Sequence, residues 1–399
     1  MTLQPMTLVV NPGSASRKYA LYKDGRKRAD LWFEYIDGQV EGRLEFDGNK
    51  HIIKYPDADL GIVSRYIVPI FIDYGVIHHP TDISVIGIRV VAPSRRFLQD
   101  ELITPSIEAV LVSLQELVPL HVTTLLNEIA EIKLNLYGIP MIAISDSAFH
   151  STKPTWAWDY GIDPELADRY DIKRFGYHGI SVGSIVRKMR HLDIIHPKMI
   201  VCHLGSGSSV TAVYNGDSLD TTMGYTPLEG LMMASRSGSM DVVAALAIKR
   251  ALKISDIELE NYLNTKCGLL GVSGESNDIR KLLELEEKGD DRASLALKLY
   301  VYHVQQAIGQ MTASMGGVDV IVFTGTIGER SAIIRSRILD DMQYLGFKYN
   351  HNSNVKVYEP KEPINIAISG SRRKPIYVIS TDESIEIARR AEQYLDGQY

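Results

Sequence analysis

The first part of the chain alternates apolar and polar residues with a period of two, which is typical of β-strands. Residues 7–11 form a short apolar run, a Gly-Ser segment interrupts it at 13–16, and residues 18–22 return toward an Asp-Gly turn. Further alternating segments lie at 29–35, 42–46 and 51–55. The pattern therefore predicts that the chain opens with a meander of antiparallel strands.

Further along, the apolar residues follow either the spacing of helices or the continuous runs of buried strands. Helical spacing of apolar residues predicts three helices, at 60–74, 105–117 and 121–136. Continuous runs rich in β-branched residues predict buried strands at 83–91 and 139–144. Strands alternating with helices in this way indicate an α/β fold.

A second opening of the same kind begins at residue 198. An apolar strand at 198–203, a Gly-Ser segment at 205–209, a returning strand at 210–214 and an Asn-Gly turn repeat the earlier order. The spacing is too long for a solenoid, so we interpret it as two copies of one domain plan. The elements predicted after it are helices at 240–253, 259–263, 279–288, 292–315 and 385–395, and strands at 318–323 and 376–379.

Composition limits the class of protein. The 399 residues are enough for two domains, and 45% hydrophobic with 23% charged residues is ordinary for a globular protein. A net charge of −6 argues against a nucleic-acid partner. The two cysteines, Cys202 and Cys267, suggest buried thiols in a reducing compartment. Neither a signal peptide nor a membrane helix is predicted, so the expected location is the cytoplasm, without a membrane partner.

Three glycine-rich loops are candidates for binding phosphate. Glycine lets the backbone approach an anion closely, and serine or threonine adds hydroxyl donors. The first two loops are the Gly-Ser segments at 13–16 and 205–209, and Lys18 adds positive charge to the first. The third, Gly325-Thr-Ile-Gly328, follows a buried strand, where open α/β sheets bind ligands. None is a Walker A motif, and ordinary turns without a ligand remain the alternative.

For several charged side chains and histidines, an ordinary structural role and a role in binding or catalysis are the two alternatives. Asp146 ends a buried strand and could hold Mg²⁺ or cap a helix. Arg89 lies within an apolar strand and needs an anionic partner, either a substrate or a structural carboxylate. Arg236, in a small-residue loop, could point into a cleft or into solvent. His178 and His203 are candidate phosphate or oxyanion donors, or structural histidines.

Longer motifs resemble those of the acetate kinase (acetokinase) family, within the sugar-kinase and actin superfamily. The most specific is Met223-Gly-Tyr-Thr-Pro-Leu-Glu-Gly230, inside the match at 220–233. The other matches, which extend over essentially the whole chain, are 11–16 with Lys18, 146–150, 174–179, 203–205, 235–238, 268–273, 276–278 with Arg280, 323–329 and 381–383.

The resemblance implies two duplicated RNase-H-like (actin-like ATPase) α/β domains with a cleft between them, and a homodimer. The implied domains are 1–147 plus 384–399, on the acyl and phosphate side, and 148–383, on the nucleotide and dimerisation side. The implied reaction is reversible transfer of a phosphoryl group from ATP to acetate, which gives acetyl phosphate and ADP and requires Mg²⁺ or Mn²⁺.

Site roles are also implied residue by residue. The implied catalytic residues are Arg89, Asp146, His178 and Arg236. The implied metal ligands are Asn11, Asp146 and Glu383, with Glu383 acting through water. Arg89 would also bind the acyl substrate, beside an apolar pocket formed by Val91, Leu120, Tyr177 and Pro227. The residues implied to bind phosphates and nucleotide are Ser14, Ser16, Lys18, His203, Gly205, Ser206, Gly207, Asp278, Ile279, Arg280, Gly325, Thr326, Ile327 and Gly328.

The chain departs from the family pattern at both substrate sites. Where the family has His-Arg-Val-Val-His-Gly-Gly, this chain has Ile88-Arg-Val-Val-Ala-Pro-Ser94, and Val122 replaces an asparagine. Ser206 replaces an asparagine in the second loop, and Thr326 replaces a glycine in the third. Three alternatives therefore stay open: a preference for propionate or another short acyl acid, pyrophosphate or a non-adenine nucleotide as donor, and a catalytically weak ATP-binding regulator.

Overall fold

A computed structural model describes residues 6–13, 16–36, 38–55, 59–370 and 373–397. The chain divides into two compact units. Unit 1 contains the chain up to Ala148 together with the segment from Asp382 onward, and unit 2 is Phe149–Thr381. Unit 1 is therefore built from both ends of the chain, whereas unit 2 is continuous.

Unit 1 is a mixed sheet covered by helices. Its strands are β1 (Met6–Pro12), β2 (Ser16–Lys23), β3 (Arg26–Ile36), β4 (Gln39–Phe46), β5 (Asn49–Tyr55), β6 (Ile83–Val90), β7 (Glu101–Leu102) and β8 (Met141–Ser145). Its first helices are α1 (Ile67–Asp73), α2 (Pro105–Leu114) and α3 (Pro119–Asn135). The strand order is β5-β4-β3-β2-β1-β6-β8-β7. The first five strands pair antiparallel, while β1, β6 and β8 run parallel to one another.

Unit 2 repeats this plan. Its strands are β9 (Lys198–Leu204), β10 (Ser208–Tyr214), β11 (Asp217–Thr221), β12 (Val320–Thr324), β13 (Ile364–Asn365) and β14 (Ile376–Val378), in the order β11-β10-β9-β12-β14-β13. Strands β9, β10 and β11 form an antiparallel meander, and β9, β12 and β14 run parallel. Each sheet thus places a meander beside parallel strands, which confirms the duplicated α/β fold.

Helices cover the second sheet. They are α4 (Thr155–Trp158), α5 (Pro164–Arg169), α6 (Gly179–His191), α7 (Val242–Leu252), α8 (Asp256–Thr265), α9 (Gly268–Ser273), α10 (Ile279–Glu287), α11 (Asp291–Met315), α12 (Gly325–Arg330), α13 (Ala332–Asp340) and α14 (His351–Lys356). The last helix of the chain, α15 (Glu383–Leu395), belongs to unit 1. Within the described ranges, no helix has the length and apolar character needed to cross a bilayer.

Two predictions need correction. The helix expected at 60–74 begins only at Ile67, after a short 3₁₀ turn at Val63–Tyr66. Pro69 explains the late start, since a proline in the helix interior loses a hydrogen bond and its ring clashes with the preceding turn, but a proline is tolerated in the first turn. The two thiols were both expected to be buried. Cys202 is buried, whereas Cys267 is only half-buried.

Helix α15 packs tightly against the parallel strands of unit 1. A methyl group added at Gly87, on β6, would lie 2.8 Å from the Ile387 side chain and 3.1 Å from that of Ala391, so only glycine fits there. The Arg390 guanidinium forms a buried ion pair with Asp100 and also donates to the Ser145 carbonyl at 3.2 Å. These contacts fix the helix beside the carboxyl end of β8.

Substituting Asp100 by alanine should lower the free energy of unfolding by about 3–5 kcal/mol, because it leaves the Arg390 charge buried without its partner. Urea denaturation of the purified protein measures this change. The matched control is Glu131→Ala, which breaks the exposed pair with Arg65 and should cost less than about 1 kcal/mol. Equal effects of the two substitutions would show that the buried pair has no special role.

Candidate active site

One candidate cluster lies in unit 1, where its parallel strands end. Val10 of β1 is paired with Ile88 of β6, and Val90 of β6 with Ser145 of β8, so the three carboxyl ends lie side by side. Asp146 follows β8 directly, and its N–H donates to the Val90 carbonyl at 3.0 Å. The sheet register therefore brings together side chains that are far apart in the sequence.

Arg89 is the centre of this group. Its Nη2 lies 2.8 Å from Asp146 Oδ2, and its Nη1 lies 3.5 Å from Glu383 Oε2 and 3.4 Å from Asn11 Oδ1. Asn11 Nδ2 also lies 3.5 Å from Glu383 Oε2. Four of the predicted residues, Asn11, Arg89, Asp146 and Glu383, thus form one cluster in which three oxygens face a single guanidinium.

The charges of this cluster are strongly coupled. Burial disfavours the charged guanidinium, but the neighbouring Asp146 and Glu383 carboxylates outweigh that effect and raise the pKa of Arg89 above its ordinary value. Arg89 is therefore cationic at any physiological pH. Asp146 is fully buried, whereas one fifth of the Arg89 side chain stays exposed. The structural ion pair considered as an alternative for Arg89 is present, and it leaves the arginine accessible to a small anion.

The first Gly-Ser loop is held by a buried polar group. Arg17, the residue after the loop, donates to the Gly13 carbonyl and lies 3.4 Å from Glu128 Oε2 on α3. Tyr19 on β2 donates to the other Glu128 oxygen at 2.6 Å. Burial raises the pKa of Glu128 despite these partners. Ser16 is half-buried and Lys18 is exposed on β2, while Ser14 lies outside the described residues.

A separate candidate cluster lies in unit 2 around two stacked histidines. The rings of His178 and His203 are 4.1 Å apart between centroids, with an angle of 29° between their planes. His178 has a left-handed backbone, φ 62°, where α6 begins, and its Nδ1 lies 3.0 Å from Ser209 Oγ. His203 Nδ1 lies 2.8 Å from Ser181 Oγ. Each ring thus has a hydroxyl partner at Nδ1, which fixes its orientation.

The second Gly-Ser loop lies directly against these rings. A methyl group added at Gly207 would be 3.1 Å from His178 Nε2 and 3.5 Å from Arg236 Nη1. One added at Gly205 would be 3.8 Å from His203 Nε2 and 3.9 Å from the Thr326 backbone nitrogen. Unit 2 therefore gathers both loop glycines, two histidines, Arg236 and the third loop at one place.

The parallel register of β9 and β12, with His203 paired to Thr324, explains why the second and third loops meet. Gly325 has φ 77°, and a methyl group there would lie 2.7 Å from the Leu204 carbonyl oxygen. Ile327 and Gly328 lie within the short helix α12, and the side chains of Ser206 and Thr326 are exposed. The third loop is thus a glycine-dependent turn at the carboxyl end of a buried strand.

The remaining nucleotide candidates are at the start of α10. Asp278 accepts from the Arg280 backbone N–H at 2.8 Å, and the Arg280 guanidinium pairs with the same carboxylate. Hydrogen bonding from Arg280 is the main reason why the pKa of Asp278 is lowered. Ile279 is buried, whereas the Arg280 side chain is exposed. Their contact with adenosine stays a prediction.

The four apolar pocket candidates belong to different units. Val91 is half-buried in unit 1, and the Leu120 side chain lies outside the described residues. Tyr177 and Pro227 are buried in unit 2, where the Tyr177 hydroxyl donates to the Tyr225 carbonyl at 2.6 Å. Their meeting around a methyl group therefore stays a prediction.

Sequence reasoning missed the side chains that hold the candidate residues in place. They are Ser181 and Ser209 beside the histidines, Glu128 beside the first loop, and Glu329 and Arg335 beside the third. Arg335 is completely buried, and it donates to the Gly328 and Glu329 carbonyls at 2.8 and 3.0 Å. No local signal marks such residues, since their partners are remote in the sequence; a charged residue within an apolar helical pattern is the one hint for Arg335.

Known proteins resemble this chain in sequence and in fold. A family model described as the acetokinase family matches residues 6–389. The acetate kinase of Thermoanaerobacterium thermosaccharolyticum is 39% identical over an alignment 403 positions long, gaps included. This alignment covers 98% of this chain and 99% of that protein. The crystal structure of Porphyromonas gingivalis acetate kinase matches with a TM-score of 0.86 at 30% identity, covering 98% and 100% of the two chains. A propionate kinase structure from Francisella tularensis gives 0.89 at 30% identity, covering 98% and 99%.

The family match over both duplicated α/β units identifies a phosphotransferase of the two-domain kinase class. The extent of the family match carries the assignment further. The chain belongs to the acetokinase family.

Proposed function

We propose that this kinase catalyses reversible phosphoryl transfer from ATP to acetate, giving acetyl phosphate and ADP. The observation that carries the proposal is the cluster around Arg89, in which a permanent cation with an accessible edge lies beside Asn11, Asp146 and Glu383. A cytoplasmic homodimer is part of the same proposal, since the family resemblance implies it.

The residues of the cluster fit a bound Mg²⁺. Magnesium prefers one or two carboxylates, with phosphate oxygens and water completing its shell. Among the described residues no group of three His, Cys, Asp or Glu side chains could hold a metal, but two carboxylates and an amide oxygen are present here. Asn11, Asp146 and Glu383 would hold the ion, with Glu383 acting through water. When bound, the ion supplies charge neutralisation for the nucleotide phosphates.

The side chains of the two candidate clusters are of the kinds that direct in-line transfer requires. A carboxylate substrate is already ionised at neutral pH, so its oxygen can attack the γ-phosphorus without a general base while the bond to the ADP oxygen breaks. Arg89 and Arg236 would bind the substrate carboxylate and the equatorial phosphoryl oxygens. His178 has Nδ1 beside Ser209 and its Nε2 faces the second loop, where it would donate a hydrogen bond to the transferring group.

Propionate is the second candidate acceptor. The propionate kinase match and the replacement of the usual histidine and glycine pair by Ala92-Pro93-Ser94 both favour testing it. Ser94 caps the 3₁₀ turn that follows, because its hydroxyl accepts from the Arg96 N–H at 3.2 Å. The turn beside Val91 is therefore stiffened by both a proline and a cap, and this could change the shape of an acyl pocket.

Hydroxylamine trapping of the acyl phosphate tests the proposal. With ATP and Mg²⁺, acetate should give acyl hydroxamate with a higher kcat/KM than propionate or butyrate, and quenched mixtures should contain no kinetically competent phosphorylated side chain. Pyrophosphate and other nucleotides replace ATP in parallel, because Thr326 and Ser206 alter the nucleotide loops. Absence of product in a single-turnover experiment with every donor would instead support an ATP-binding regulator.

A further inference from the structure

The carboxylate of Glu329 lies under the third loop. Gly325 begins α12, and the Thr324 side chain does not cap that helix in the usual way. Instead Glu329 Oε1 accepts from the Gly325 N–H at 2.9 Å and lies 3.4 Å from the Thr324 hydroxyl. The side chain is 7% exposed. The conformation of the loop therefore depends on one buried carboxylate oxygen.

The same oxygen also holds a second segment. It accepts from the Thr381 N–H at 3.2 Å, and the Thr381 hydroxyl lies 3.3 Å from Ser184 Oγ on α6. Thr381 is the last residue of unit 2 before the chain returns to unit 1. Glu383, the first residue of α15, comes two positions later and contacts Arg89 and Asn11. Glu329 is thus hydrogen-bonded to a residue that lies two positions before a predicted metal ligand.

We propose that Glu329 is a positioning residue that couples the nucleotide turn to Glu383. A hydrogen bond to an ionised carboxylate is short and stronger than a neutral one, and in a buried site it is not weakened by competing water. A displacement of Gly325 on nucleotide binding therefore has to move Thr381 or break its bond. This inference rests on the proposed function, because it takes the third loop as the adenosine turn and Glu383 as a metal ligand.

Other residues already support the turn of the third loop, so that role alone does not require Glu329. Arg335 already holds the carbonyls of Gly328 and Glu329, and its other donors reach Asn354 and the Val357 carbonyl on the far side of the turn. Ser331 caps the next helix through the Ile334 N–H at 3.3 Å. Glu329 differs from both because its carboxylate also reaches the Thr381 backbone.

Hydrogen–deuterium exchange with and without Mg²⁺ and ADP tests the coupling in the full-length protein. In the wild type, ADP should slow exchange in segments 324–330 and 381–386. In Glu329→Ala, ADP should still slow exchange at 324–330, whereas its effect at 381–386 should shrink by about 10-fold, a common size for coupling between sites. Glu329→Gln keeps an acceptor oxygen and should retain most of the effect, and Ser331→Ala should behave like the wild type.

Each other outcome has a definite meaning. Full slowing at 381–386 in Glu329→Ala would overturn the coupling while leaving the proposed function intact. No response to ADP at 324–330 in the wild type would overturn the assignment of the nucleotide turn and the coupling with it. If Glu329→Ala does not fold, Glu329→Asp gives the same test, because its shorter side chain cannot reach both N–H groups.

The Mg²⁺ requirement supplies a second measurement. Glu329→Ala should raise the Mg²⁺ concentration for half-maximal activity by about 10-fold, with the KM for acetate changed less than about 3-fold. A role confined to the turn would raise the KM for ATP and leave the Mg²⁺ requirement unchanged. That second pattern would overturn the proposal.

Discussion

Replacing Arg89 by alanine should reduce kcat by about 10²-fold or more, by analogy with the loss of one oxyanion donor. The guanidinium is the cation facing Asp146, Glu383 and Asn11, and its exposed edge is the part of the cluster that a substrate anion can reach. Its removal takes away the guanidinium that faces the Asp146 and Glu383 carboxylates, so the site should bind both the acyl carboxylate and the phosphoryl oxygens less well. Arg89→Lys should recover activity only in part, since an ammonium lacks the planar fork.

Steady-state and single-turnover kinetics with varied acetate concentration measure the effect of this substitution. Arg96→Ala is the matched control, because Arg96 is a half-exposed arginine of the same unit that pairs with Glu101. Circular dichroism checks that each variant is folded. A folded Arg89→Ala protein with near-normal kcat would mean that the site has been placed at the wrong residue.

Replacing Arg236 by alanine should also reduce kcat by about 10²-fold or more. The guanidinium lies beside the second Gly-Ser loop and near His178, as the close approach of a methyl group at Gly207 to both side chains shows. The loss should appear in the transfer step, since Arg236 would neutralise charge on the transferring group.

Rapid-quench measurement of the transfer step, with nucleotide binding followed separately, identifies which step changes. Arg250→Ala, on the exposed helix α7, is the matched control for loss of one arginine from the same unit. Slower transfer with near-normal ADP affinity supports the role proposed for Arg236. Unchanged transfer in a folded variant would remove Arg236 from the catalytic group.

The sequence predicted the parts of the fold that local pattern controls. Alternating apolar and polar residues, together with turn residues, predicted the meander, the buried strands and the repeated strand–Gly-Ser–strand opening. The structure confirms these strands in both units. The predicted start of the helix at 60–74 was wrong because the apolar period continues through Pro69, and only the backbone chemistry of proline shows where the helix can begin.

The residues of the candidate site could be predicted from the sequence only where a motif coincides with the end of a strand. Arg89 and Asp146 in unit 1, and His203 and the third loop in unit 2, lie at or near the ends of parallel strands, which the register of each sheet brings together within its own unit. The supporting residues could not be found in this way. Glu128, Glu329 and Arg335 take their function from partners that the folded structure brings to them, and the pattern along the chain offers one hint, the charge of Arg335 within an apolar helical pattern.

The position of α15 has a consequence for biosynthesis. Because this helix packs against β6 and its Arg390 pairs with Asp100, the sheet of unit 1 stays uncovered on that side until the residues of α15 have left the ribosome. Unit 2 is continuous and can fold while synthesis proceeds, and domains generally fold as units during translation. A nascent chain that stalls before α15 is complete would therefore present a folded second unit and an unfinished first one, which is the kind of intermediate that chaperones bind.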